Sequence, residues 1–130
     1  MIHAIHDIGV ASQIGKYSDA IEVGPNMLWF ITSGTPELLA AGGLPEGTVG
    51  QAEIAWQNIV NLLAKAEMTV ADIVKVTQYL TRAEDIKAYA EVCARSLGEN
   101  RPASMLLVIP QLAWPEILVE VEIFAARTRA

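Results

Sequence analysis

Glu120 and Glu122 stand two residues apart in the run Ile117-Leu118-Val119-Glu120-Val121-Glu122-Ile123-Phe124. The run alternates strictly, so on a strand both carboxylates share one face with Leu118 and Phe124, while Ile117, Val119, Val121 and Ile123 take the other. A carboxylate between large apolar neighbours can hold a water and move its protons. A core strand would not carry the two charges, because an unpaired buried carboxylate is costly. The pattern therefore predicts a strand lining a cleft or an interface, or else a half-wet edge with two solvated glutamates.

The other chemistry-bearing residues are sparse. His3 and His6 are three apart and would face opposite sides of a strand. No Cys/His/Asp group has the spacing of a zinc site, and no metal or organic cofactor is expected. Cys93 falls on the apolar stripe of a predicted helix and reads as a small core residue. There is no serine elbow, phosphate-cradling glycine loop or dinucleotide fingerprint. Trp29 and Trp56 read as core or interface residues, and Trp114, in a proline-bounded loop before the glutamate strand, as a candidate pocket wall.

The elements that must position these groups are legible in outline. The chain has 130 residues, 52% hydrophobic and 18% charged, which suits one domain over residues 1–130 with a sizeable core. Residues 20–24 and 27–32 predict two strands joined as a hairpin by Gly24-Pro25-Asn26. Residues 37–49, rich in Gly, Pro and Ala, predict a loop. A helix is expected over 51–67 from the stripe Ala52, Ala55, Ile59, Leu62, Leu63 and Ala66, then a strand over 73–80. Thr81 and Glu84 form a capping-box pattern ahead of a second helix bearing Ile86, Tyr89, Ala90, Cys93 and Leu97 on one face, with Gly98 as its stop. Residues 104–109 predict a further strand. This order implies an α+β fold, one sheet with both helices on one face. The opposite face, with Glu120, Glu122, Leu118 and Phe124, is left uncovered, which predicts oligomerisation.

Composition narrows the partners. The net charge of −6 and nine scattered Lys and Arg lack the basic footprint of a nucleic-acid binder and disfavour anionic membranes. No apolar run reaches the ~18 residues of a membrane span. A lone cysteine and no basic-then-apolar leader predict a cytoplasmic protein.

Five blocks carry a resemblance. Ile14-Gly15-Lys16-Tyr17-Ser18-Asp19-Ala20 resembles the glycine-proline-tyrosine-serine-glutamine-alanine opening of the reactive intermediate deaminase (RidA, or YjgF) family. In the same order follow Thr32-Ser33-Gly34, Gln51 with Asn58, Asp72-Ile73-Val74-Lys75-Val76-Thr77, and Arg101-Pro102-Ala103 leading to Leu118-Val119-Glu120-Val121-Glu122. The resemblance implies a chorismate mutase-like fold and a homotrimer whose uncovered sheet faces form a central β-barrel, with clefts between subunits. It implies cofactor-free hydrolysis of imines and enamines, such as 2-aminoacrylate, to keto acids and ammonia. By the same resemblance Glu120 is the catalytic, water-activating glutamate. Tyr17, Ser33 and Gly34 lie beside the substrate, and Glu122 lines the barrel.

One departure stands out. The family arginine that grips the substrate carboxylate follows the proline-alanine pair, and here that place is Ser104. A serine cannot supply a charge-assisted fork, and Arg101, three residues away, would have to swing to compensate. Ala90 likewise replaces a polar family residue. Without that cation the Glu120 pKa is expected to tend upward. The expected activity is thus hydrolysis or tautomerisation of a small imine or enamine other than a 2-imino acid, with Ser104 and Trp114 in the substrate pocket. The alternative is a non-enzymatic trimer that binds a small metabolite or acts as a chaperone.

Overall fold

A computed structural model describes residues 3–36 and 42–129. Seven strands and two helices follow in the order β1 (Ala4–His6), β2 (Ala20–Glu22), β3 (Met27–Ile31), β4 (Thr35–Pro36), α1 (Gly47–Lys65), β5 (Ile73–Leu80), α2 (Ile86–Leu97), β6 (Ala103–Val108) and β7 (Val119–Thr128). The main sheet runs β3-β7-β5-β6, with β4 continuing the β3 edge of β7. β7 is antiparallel to both its neighbours, whereas β5 and β6 are parallel. That parallel pair requires a crossover, and α2 supplies it.

The 3.6 and 2.0 periods of the sequence meet in one core. Ala52, Ala55, Trp56, Ile59 and Leu63 of α1, with Tyr89, Val92 and Leu97 of α2, pack on Val76, Leu80, Val119, Val121 and Ile123. Both helices thus cover one face of a mixed sheet, as expected. Alternation holds along β5 and β7, where every second side chain is buried. The other face carries Lys75, Thr77 and Tyr79 of β5, Met105 and Leu107 of β6, Glu120, Glu122 and Phe124 of β7, and Trp29 and Ile31 of β3, by register. Ile31 is 62% exposed, Met105 51%, Trp29 50% and Phe124 41%. Trp56, by contrast, is core.

Several sequence expectations are corrected. β2 and β3 do not form a hairpin. β2 pairs with β1 in a separate two-stranded sheet, and β3 pairs with β7. The turn residues were readable, but long-range pairing outweighed them. β1 itself was not foreseen. α1 begins at Gly47, four residues before Gln51; the expected loop also spans residues 37–41, which lie outside the described residues. No side chain caps the turn or the helix after Thr81. The capping box forms instead at Thr69 and Asp72, and Asp85 accepts from Thr48 and Arg82. In α2 the buried stripe is Tyr89, Val92 and Leu97, leaving Ile86 exposed. Gly98, at φ 61°, ends α2 as expected. β6 starts one residue early, and β7 runs on to Thr128.

Candidate functional site

Glu120 occupies the first turn of alternation in β7, opposite Tyr79 on one side and Pro36 on the other. Its carboxylate is half-buried. That burial, and then the negative charge of Glu122, raises the Glu120 pKa above a glutamate's ordinary value. The direction agrees with the sequence expectation. The cause is mainly lost solvation rather than a missing cation. Among the described residues the ion pairs are His6–Glu22, Arg82–Asp85 and Arg95–Glu53, so none of them neutralises Glu120 or Glu122.

Tyr79 is a neighbour that sequence reasoning missed as a site residue. Its hydroxyl donates to Glu122 Oε1 at 3.2 Å. Lost solvation, and then the hydrogen bond to Glu122, raise its pKa. The alternation Lys75-Thr77-Tyr79 placed it on one face of β5. The pairing that sets it beside both glutamates was not readable.

The edge of the site is built by an irregularity between β3 and β4. Ile31 pairs with Phe124, but Thr35 pairs with Val121. Three residues, Thr32, Ser33 and Gly34, therefore oppose two, which makes a bulge of the kind that re-aims backbone beside a site. The ladder is patched by Thr32, whose amide donates to the Ile123 carbonyl at 3.1 Å and whose hydroxyl accepts from the Ile123 amide at 3.0 Å. The bulge brings Gly34 against Glu120. A Cβ added at Gly34 would collide with Glu120 Oε1, so only glycine leaves that carboxylate its place. Ser33 is exposed in the same bulge.

The remaining sequence-predicted residues do not converge on Glu120 within one chain. Tyr17 precedes Ser18, whose amide donates to the Pro102 carbonyl at 3.2 Å and whose hydroxyl donates to the Arg101 carbonyl. This fixes it beside Ala103. Arg101 lies at the same end of β6. Ser104 stands on the opposite side of the sheet, where its hydroxyl accepts from Gln78 Nε2 at 2.9 Å. Trp114 is half-exposed in the loop before β7.

Beneath the sheet a second polar group is saturated. Gln78 Oε1 accepts from the Tyr89 hydroxyl at 2.7 Å and the Cys93 thiol at 3.3 Å. Its Nε2 donates to Ser104 and to the Met105 carbonyl at 3.0 Å. Trp56 Nε1 donates to the Tyr89 hydroxyl at 3.2 Å. Burial pushes the Cys93 thiol up to about 11, which suits the core role expected of it and not a nucleophile. No three His, Cys, Asp or Glu residues among those described are grouped to hold a metal ion, and no described helix is long and apolar enough to cross a membrane.

Comparison with known proteins decides the family. Residues 9–127 match the family model described as Endoribonuclease L-PSP. The chain belongs to the RidA/YjgF family. A RutC family protein of Pyrococcus horikoshii is 34% identical over 113 residues, covering 86% of this chain and 87% of that one. The RidA/YjgF fold recurs in a Rid-family protein of Yersinia pestis, at TM-score 0.81 and 24% identity over 98% of this chain and all of that one. TdcF of Escherichia coli, named a putative reactive intermediate deaminase, has a solved structure with bound serine; it superimposes at TM-score 0.71 with 25% identity, covering 88% of this chain and 91% of that one.

Proposed function

We propose that this RidA-family protein hydrolyses a small imine or enamine, with Glu120 as the group that activates water. The observation that carries the reading is the half-buried Glu120 carboxylate, its pKa raised, set between Tyr79 and the Gly34 bulge. In the reaction an enamine first tautomerises to its imine. Glu120 takes a proton from water as the oxygen bonds to the imine carbon and the C=N π pair moves to nitrogen. The same carboxyl returns that proton to nitrogen, giving a carbinolamine; it then takes the hydroxyl proton and passes it to nitrogen as the C=O π bond forms and the C–N bond breaks, so that a carbonyl compound and ammonia leave. A carboxyl with a raised pKa suits both halves, because it is a stronger base toward water than an ordinary glutamate and can still return the proton as an acid.

The site is proposed to be completed by a second copy. Trp29, Ile31, Met105, Leu107 and Phe124 give the uncovered sheet face an apolar character that packing in a homotrimer would remove from water. Clefts between copies would bring the Tyr17 end of one chain to the Glu120 face of the next. The substrate is proposed to lack a carboxylate. Ser104, in the place of the family arginine, carries no charge and faces the Gln78 side of the sheet, so it offers no charged fork to a substrate at Glu120.

The test is a panel of freshly generated imines, with and without a carboxylate, followed by ammonia release in the native protein and in Glu120→Gln. Turnover of uncharged imines, reduced roughly 10²–10⁴-fold in Glu120→Gln, is the expected result. The serine bound to TdcF favours one competing reading, a binder without turnover. Silence on every imine, with serine or a related small molecule raising Tm, would establish that reading instead.

A further inference from the structure

We propose that Gln51 is the positioning residue of the Glu120 site; this rests on the catalytic reading of Glu120 above. Gln51 lies in the second turn of α1 and is only 2% exposed. An amide has two donors and an acceptor with two lone pairs, and Gln51 spends them on three backbone groups in two separate stretches of chain. Its Nε2 donates to the Pro45 carbonyl at 3.0 Å and to the Glu116 carbonyl at 3.1 Å. Its Oε1 accepts from the Leu118 amide at 2.8 Å.

These backbone groups sit outside the strands and helices, where a buried polar atom needs a side-chain partner. Leu118 is the pivotal one. Its carbonyl accepts from the Thr81 amide at 3.2 Å, continuing the β5–β7 ladder, while its amide is held by Gln51. Leu118 is thereby pinned from both sides just before β7 begins. It precedes Glu120 by two residues on the same face, so a rotation at Leu118 swings the carboxylate. The Glu116 bond holds the approach to β7 and the Pro45 bond holds the approach to α1. Leu44, Pro45, Glu116 and Leu118 line one depression, with Gln51 in its wall. One side chain thus sets the entry of the catalytic strand against the first helix.

A displacement of about 1 Å at a reacting group can cost 10²-fold in rate. Gln51→Met keeps an unbranched side chain of similar length and removes all three bonds. Its kcat is expected to fall roughly ten- to hundredfold with little change in KM. Two readouts need no substrate: the Glu120 titration, followed by NMR, moves down toward the ordinary carboxylate value as the segment opens to water, and exchange of the Leu118 amide accelerates. Gln57→Met, on the exposed side of the same helix, changes neither. Should Gln51→Met fail to fold, Gln51→Asn serves. It keeps the amide and adds no charge but falls one methylene short of the three backbone groups, so the Glu120 titration still moves down. A Glu120 titration and Leu118 exchange identical to the native chain in a folded Gln51 variant would overturn the proposal. If no imine is turned over, the catalytic reading fails while these two measurements still decide the role of Gln51.

Discussion

The two faces of the central sheet treat polar groups in opposite ways. On the helix side, Gln78 is 2% exposed, yet all four of its hydrogen-bonding positions are used by Tyr89, Cys93, Ser104 and Met105. On the other side, Glu120 and Glu122 share Tyr79 and sit without any of the described ion pairs. A saturated buried network specifies packing and leaves nothing to react. A half-solvated carboxylate beside a like charge takes up a proton more readily than an ordinary glutamate. The contrast sets a structural polar site against the proposed chemical one in the same sheet.

The sharpest way to break that contrast is to exchange the fates of the two sites. Glu120→Gln should remove turnover and leave the fold intact. Gln78→Leu should do the reverse. It strips the acceptor from the Tyr89 hydroxyl and the Cys93 thiol and the donor from the Met105 carbonyl, and a buried group left unsatisfied costs about 1–3 kcal/mol. Urea unfolding should show that loss, with kcat per folded molecule nearly unchanged. A Gln78→Leu protein of native stability would mean that the network is incidental.

Gly34→Ala probes the boundary of the outer site with a smaller effect. Gly34 is not among the positive-φ glycines, so its backbone accepts alanine and the unfolded chain loses some entropy, a gain of about 0.4–1 kcal/mol before any clash. The new methyl meets the Glu120 carboxylate, which must turn away. Activity is expected to fall roughly tenfold while urea stability changes by less than about 1 kcal/mol. An unchanged kcat would show that the carboxylate works from another position.

How much of this was legible in the sequence depended on range. All strands but the short β1 and β4, both helices and the placing of Glu120 with Glu122 on one face followed from local period, because burial enforces a period of two or 3.6 residues. The partner of β2 was not legible, since the local turn signal at Gly24-Pro25-Asn26 is blind to a strand at residues 4–6. Ser104 was located by its place after Pro102-Ala103, but spacing along the chain did not reveal which side of β6 it faces. Tyr79 and Gln51 became site residues only through pairing with segments about 40 and 67 residues away. No local pattern encodes such pairings.

The smallest predicted effect comes from the pH dependence of stability. The folded Glu120 pKa lies above its unfolded value of about 4.3, so the native chain binds this proton more tightly than the unfolded one. Stability from this group is then fully present below the unfolded pKa and declines as pH rises through the folded pKa, because ∂ΔG/∂pH follows the protons bound by the unfolded state minus those bound by the native state. At neutral pH the ionised Glu120 is therefore a net cost. Glu120→Gln should be the more stable protein at pH 7, by less than about 1 kcal/mol since solvent screens a half-exposed carboxylate. The two unfolding curves should converge as pH falls below the unfolded pKa. Adding salt should shrink the part of the difference that comes from Glu122 and leave the part due to lost solvation. If the native protein were instead the more stable at pH 7, a cation supplied at the Glu120 face in solution would be compensating the carboxylate. The outer face would then resemble the inner one, with its polar groups already satisfied.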